Sequence, residues 1–126
     1  MRVLLDTHAL IWAGLRSVKL STTARDVIGD PDTVRLVSAV SAYEIGYKRP
    51  FDNDLDRLPT DLGDLRDLLV FDWLSLDVKH AVRAARLPLL HRDPWDRLLV
   101  AQAQIEDLTI VSRDPALAAY GVSVLW

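Results

Sequence analysis

The sequence predicts an α/β fold: a three-layer sandwich in which a mostly parallel sheet of about five strands has helices on both faces. Three observations predict it. Short apolar runs alternate with longer segments of helical period, the chain order of repeated strand–helix–strand units. Runs such as VLL (3–5) are continuously apolar and LTIV (108–111) nearly so, as strands are when both faces are covered. The breaks carry helix-start residues, among them Ser21, Ser38, Asp77, Asp93-Pro94 and Asp114-Pro115, which supply cap acceptors and a preset φ at the first helical position.

Taken in order, Val3 to Leu5 is a short buried strand ending at Asp6, followed by a helix from Thr7 to about Gly14. Ser21 caps a helix to about Gly29, and GDPD (29–32) is a turn. VRLV (34–37) is the second strand. A helix follows in SAVSAYEIGYK, with cap candidates at Ser38 and Ser41. RPFDNDLDRLP (49–59) reads as a loop. A helix spans about 61–70, where Leu62, Leu65, Leu68 and Leu69 share a face. WLSL (73–76) is the third strand, and Asp77 caps a helix through about Arg86. LPLLHR connects to a helix from about Pro94 to Glu106. LTIVS (108–112) is the fourth strand, Asp114-Pro115 opens a short helix, and VSVLW (122–126) is the last strand.

The chain of 126 residues is expected to form one domain, 1–126, long enough to bury about two-thirds of its unfolded surface. Apolar residues make up 50% and charged residues 26%, an ordinary globular balance. There is no cysteine, so disulfides, thiolate zinc sites and cysteine nucleophiles are excluded together; this fits a reducing cytosol, and a cytoplasmic location is expected. No apolar run nears the roughly 18 residues of a membrane span. The net charge of −3 argues against nonspecific coating of nucleic acid. Sixteen of the eighteen acids are Asp and twelve of the fifteen bases are Arg. The acids suit neutralisation by divalent cations, and the arginines suit phosphate contacts. The GxGxxG and GxxxxGK[ST] phosphate loops are absent.

Where the acids fall matters more than their number. In open α/β sheets, ligands bind beyond the carboxyl ends of the strands, at a switch point in strand order. Asp6 directly follows the first strand, and Asp114 follows the fourth. Glu44 lies six residues beyond Ser38, on the helix after the second strand. Asp93 and Asp96 begin the helix that leads into the fourth. Helices run back from that edge, so their N-termini face it as well, and four or five distant acids can converge there. Each acid also has a local reading. Asp6, Asp93 and Asp114 can be N-caps, with Asp96 a first-turn companion. Ser41-Ala42-Tyr43-Glu44 matches a capping box; if the helix starts near Ser38, Glu44 is instead an interior carboxylate. Asp96 shares a face with Val100 and Ala103, where an unpaired charge is costly. Local readings explain the acids singly and leave their crowding unexplained, because clustered carboxylates repel unless protons or cations share the site. Oxygen donors without thiols point to Mg²⁺ or Mn²⁺. Such ions activate water and stabilise a transferring phosphoryl group, so phosphodiester hydrolysis is the reaction class expected.

The stretches LLDTHALIWA (4–13), VSAVSAYEIGYK (37–48), LPLLHRDPWDRLLVAQA (87–103) and IVSRDPALAAYGVSVLW (110–126) together resemble PIN-domain ribonucleases, in particular the VapC-type toxins of bacterial toxin–antitoxin pairs. They occur in family order and frame the chain; only about 49–75 carries no signal. The resemblance implies a PIN-like sandwich and an acidic quartet of Asp6, Glu44, Asp96 and Asp114, with Asp93 a further candidate ligand. It implies cleavage of structured RNA, tRNA or rRNA, with Mg²⁺ or Mn²⁺, a homodimer, and silencing by a cognate antitoxin. Tyr43 stands where Trp is common and Trp95 where Phe is common; neither change removes a ligand.

The roles expected on this reading are metal binding by Asp6, Asp96 and Asp114, with Glu44 binding metal or orienting the attacking water. Thr7 and Ser112 support the acids by hydrogen bonds. Lys48, Arg92, Arg97 and Arg113 are candidate phosphate contacts, each also readable as a solvated surface residue. His8 and His91 invite an acid–base role that an Asp cluster makes unnecessary, and His80 reads as structural. Two rivals stand beside the nuclease. A phosphoacceptor receiver domain needs an acidic pair after the first strand and a lysine after the last; this chain has the single Asp6 and ends in VSVLW. A non-catalytic binding module would not need the retained acids.

Overall fold

Strand β1 (Arg2–Leu5) sits at the centre of the sheet, and its alternating side chains divide the molecule into two cores. The computed structural model describes residues 1–126. Val3, Leu4 and Leu5 pair with Arg35, Leu36 and Val37 of β2 (Val34–Ser38) on one side. They pair with Thr109, Ile110 and Val111 of β4 (Thr109–Val111) on the other. Strands β3 (Asp72–Leu74) and β5 (Val124–Leu125) complete the order β3-β2-β1-β4-β5. Every pairing is parallel, so the mostly parallel sheet expected from sequence is wholly parallel.

Successive strand residues point to opposite faces. Val3 and Leu5 join Leu10, Ile28 and Leu65, which come from α1 (Thr7–Leu15), α2 (Thr22–Gly29) and α4 (Leu62–Leu69). Leu4 joins Ala84, Leu99 and Ala103 on the other face, from α5 (Val78–Arg86) and α6 (Pro94–Glu106). Helix α3 (Ala39–Lys48) gives Val40 to the second core and Ile45 to the first. Leu4 and Leu5 are fully buried, and each such side chain stabilises the fold by about 1.5–3 kcal/mol.

The expected elements appear with local shifts. The third strand lies at 72–74 and not 73–76. The segment 49–59, expected as a loop, forms two short 3₁₀ turns, Arg49–Phe51 and Asn53–Arg57. Buried Leu55 and Leu58 pin it to the core, and the Arg49 guanidinium donates to the carbonyls of Leu55 and Pro59. The short helix after Asp114 is a 3₁₀ turn, Pro115–Tyr120.

Parallel register aligns the strand ends. Leu5, Val37 and Val111 stand level, so the next residues at that edge are Asp6, Ser38 and Ser112. Beside β1 the chain switches direction of travel across the sheet, from β1-β2-β3 to β4-β5. That is the crevice where ligands of such sheets bind.

Candidate functional site

Asp6 is fixed first. Its N–H donates to the Val111 carbonyl at 3.1 Å, and its Oδ1 accepts from the Ala9 N–H at 2.7 Å, which caps α1. The side chain is buried. Burial raises its carboxyl above the ordinary value, Glu44 adds repulsion, and hydrogen bonds from Ser112 and Ala9 and the charge of His8 oppose the rise.

Glu44 is held from two sides. Ser38, not Ser41, caps α3, with its Oγ accepting from the Val40 N–H at 3.0 Å. Glu44 is therefore an interior residue, and the capping-box reading of Ser41 is set aside. Ser41 is instead buried against Thr7, with 2.9 Å between their hydroxyl oxygens. Thr7 Oγ1 donates to Glu44 Oε1 at 2.9 Å. A hydroxyl has one proton, so Ser41 must donate to Thr7, and the relay runs Ser41 to Thr7 to Glu44. Lys48, one turn on, forms an ion pair with Glu44 Oε2.

Asp96 is the third residue of α6. Burial pushes its carboxyl up to about 7; repulsion from Asp93, Asp6 and Glu44 adds to this and His91 opposes it. Asp114 is half-exposed. Its Oδ1 accepts from the Ala116 N–H at 2.9 Å, its own N–H donates to Ser112 Oγ at 3.1 Å, and its Oδ2 accepts from His91 Nε2 at 2.9 Å. The His91 bond holds the Asp114 carboxyl below its ordinary value. Asp6, Asp96, Ser112 and Asp114 line one open pocket of about 400 Å³, with His8, Trp12 and Arg113 in its wall.

Asp93 stands apart. It is exposed, and its Oδ1 accepts from the Trp95 N–H at 2.9 Å, so it is the N-cap of α6. Trp95 packs on Tyr43, ring centroids 5.2 Å apart. The four bases have separate fates. Lys48 pairs with Glu44, and Arg92 is exposed. Arg113 lies in the pocket wall, its guanidinium 5.8 Å from the Trp12 ring centroid. Arg97 corrects the sequence expectation of a phosphate contact: its guanidinium donates to the carbonyls of Ala84, Leu87 and Pro88, each at 2.8 Å. Those nitrogens are committed to the end of α5 and the connector before α6.

His91 is the residue that sequence reasoning set aside. Its Nε2 lies 2.9 Å from Asp114 and 3.4 Å from Asp96. One donor atom from each of the three lies within 4.8 Å of the others. The connector is not loose: the His91 N–H donates to the Tyr120 hydroxyl at 2.8 Å, and that hydroxyl donates to the Pro88 carbonyl at 3.0 Å. His80, by contrast, is structural. Its Nδ1 accepts from the Asp77 N–H and its Nε2 faces Glu106, tying α5 to α6. Trp12 in the pocket wall was also missed; in sequence it reads only as an apolar helix residue.

The donor set at the pocket is three carboxylates with no thiol, the chemistry of a hard divalent cation. Two of the three have carboxyls raised chiefly by burial, a cost that a bound cation relieves. The site residues therefore fit Mg²⁺ or Mn²⁺.

Comparison with curated proteins gives no sequence match. Among solved structures, the chain is similar to VapBC2 from Rickettsia felis bound to a promoter DNA fragment, with TM-score 0.72, 13% identity, and 99% of this chain and 98% of that one covered. It is similar to FitAcB from Neisseria gonorrhoeae, with TM-score 0.63, 19% identity, and 100% and 97% covered. A toxin–antitoxin complex from Klebsiella pneumoniae matches with TM-score 0.65, 19% identity, and 98% and 96% covered. At these identities the likeness establishes a shared fold. The family model described as PIN domain matches residues 3–122, and the chain belongs to the PIN-domain family.

Proposed function

We propose that this chain is a Mg²⁺- or Mn²⁺-dependent endoribonuclease, the toxin of a toxin–antitoxin pair, which hydrolyses phosphodiester bonds in structured RNA. The observation that carries the reading is the pocket at the carboxyl edge of the sheet. Asp6, Asp96 and Asp114 line it together, and one of them is pushed up to about 7 by burial and by its acidic neighbours. A fold that only engaged a partner would not need to hold carboxylates at this cost.

In this reading Asp6, Asp96 and Asp114 hold the cation. When bound, Mg²⁺ or Mn²⁺ offsets charge on the phosphoryl oxygens and makes water a better nucleophile at neutral pH. Glu44, oriented by Thr7 and Lys48, accepts a hydrogen bond from the attacking water and aims it. Ser112 supports Asp6 and the Asp114 N–H. Arg113, free of carboxylate partners at the pocket wall, contacts substrate phosphate. Asp93 caps α6 and is not a ligand. The toxin–antitoxin neighbours support a cognate antitoxin as partner; a homodimer is part of the proposal as the resemblance implies it.

The test is cleavage of a structured RNA by purified protein in Mn²⁺. Chelation should abolish cleavage. Asp6→Asn, which keeps a good cap, should lower it by roughly a hundredfold or more, about the loss expected when a group that stabilises transition-state charge is removed. Cleavage that survives both changes would sink the metal mechanism.

A further inference from the structure

His91 touches two of the three acids of the pocket, and its protonation pattern is legible from its other nitrogen. The Asp93 N–H donates to His91 Nδ1 at 3.2 Å. Nδ1 must therefore present a lone pair. A neutral imidazole with an acceptor at Nδ1 carries its proton at Nε2. That N–H is shared between Asp114 Oδ2 at 2.9 Å and Asp96 Oδ2 at 3.4 Å. The same arrangement recurs at His80, where the Asp77 N–H faces Nδ1 and Nε2 faces Glu106. A metal ligand needs the opposite pattern, a lone pair at the ligating nitrogen. Moving the proton to Nδ1 would set that N–H against the N–H of Asp93, donor against donor. The ring cannot easily step away from the conflict, because the His91 backbone is tied to Tyr120.

We propose that His91 is a hydrogen-bond donor that holds Asp96 and Asp114 together and competes with a divalent cation for their Oδ2 atoms, and that it is not a ligand of that cation. The inference rests on reading the acids as a cation site. Asp114 Oδ2 already accepts a full-strength hydrogen bond from His91, so a cation taking that oxygen displaces the imidazole. His91 is thus a positioning residue: it keeps two like charges in one place and sets how strongly a cation must bind to replace it.

The ligand and competitor roles predict opposite signs. Mn²⁺ affinity is measured by calorimetry on wild type, His91→Ala, His91→Gln and Asp96→Asn, with circular dichroism to check the fold of each. Removing the competitor in His91→Ala should tighten Mn²⁺ binding by about tenfold, the worth of one hydrogen bond to a charged group. His91→Gln can keep an N–H donor near the Nε2 position and should stay within about threefold of wild type. Pulsed EPR of the Mn²⁺-loaded wild type should show no directly coordinated imidazole nitrogen. Weaker or unchanged binding in His91→Ala, a tenfold or greater loss in His91→Gln, or an imidazole coupling would each overturn the inference. If His91→Ala does not fold, His91→Gln and the EPR spectrum still decide. Mn²⁺ binding that is lost in Asp96→Asn but unchanged in His91→Ala sinks this inference alone. No Mn²⁺ binding by the wild type sinks the nuclease reading with it.

Discussion

Asp96→Asn should make the protein more stable in the presence of a chelator, and only once the pH is well above the ordinary carboxylate range. In the folded chain, burial first, and then Asp93, Asp6 and Glu44, push the Asp96 carboxyl from 3.8 to about 7. The unfolded chain ionises it at its ordinary value. Between the two, the folded state holds a proton that the unfolded state has released, so stability falls as pH rises through that window and is flat above it. A displacement of roughly three pH units is worth about 4 kcal/mol. The side chain is 26% exposed, so solvent screening reduces the expected effect to about 2–3 kcal/mol. Asparagine matches aspartate in size and can still accept from His91, so little packing is lost. Urea unfolding in EDTA, followed by tryptophan fluorescence at about pH 4, 6 and 8 to span the window, should show a difference near zero at the lowest pH that grows to its full value at the highest. With Mn²⁺ added, wild type should gain stability by mass action while Asp96→Asn gains much less. An Asp96→Asn protein no more stable than wild type at about pH 8 would mean that the fold already compensates the charge, which would refute the reasoning.

Three further substitutions separate orientation from charge and clamp from contact. Thr7→Val keeps the shape but breaks the relay from Ser41 to Glu44, leaving the buried Ser41 hydroxyl without a partner; unfolding curves should show a loss of about 1–3 kcal/mol, and RNA cleavage should fall because Glu44 is no longer oriented. Arg97→Met removes donors from the carbonyls of Ala84, Leu87 and Pro88 and should cost roughly 2–4 kcal/mol, whereas Arg113→Met should change stability by less than about 0.5 kcal/mol and weaken RNA binding in a filter or anisotropy assay.

Helix α6 was legible residue by residue because its signals are local. Asp93 caps it, Pro94 takes the first position, and the buried stretch runs from Leu99 to Ala103. Asp6 was legible because a buried strand ends just before it. Residues 49–59 were not legible: a run such as DNDLD has loop composition, and only tertiary burial of Leu55 and Leu58 winds it into turns. The roles of Arg97 and His91 were hidden for a different reason. Both depend on the path of the connector 87–93, whose carbonyls and N–H groups find Arg97 and Tyr120 from elements distant in sequence. A guanidinium beside an acidic motif reads as a phosphate contact until the carbonyls that occupy it are known. A histidine beside an aspartate cluster reads as redundant until both of its nitrogens are placed.

The capping and ligand readings of the acids were posed as alternatives, and the carboxyl group makes them compatible. Asp6 and Asp114 each give Oδ1 to a backbone N–H at the start of a helical turn. A carboxylate has a second oxygen, and the cap bond fixes where it lies. Capping therefore sets these acids in position without using them up. Asp93 makes the same kind of cap bond, so capping does not distinguish it from the other two. Burial does: Asp6 is buried at the strand edge and lines the pocket, whereas Asp93 is exposed to solvent. Water screens the charge of Asp93, which still adds to the repulsion that raises Asp96. Asp6 is buried and Asp96 only partly exposed, and Glu44 repels both, so a proton or a cation is the stronger way to settle the charge. A carboxyl pushed up to about 7 is about half protonated at neutral pH, so a cation that binds there takes the place of that proton and its affinity rises with pH.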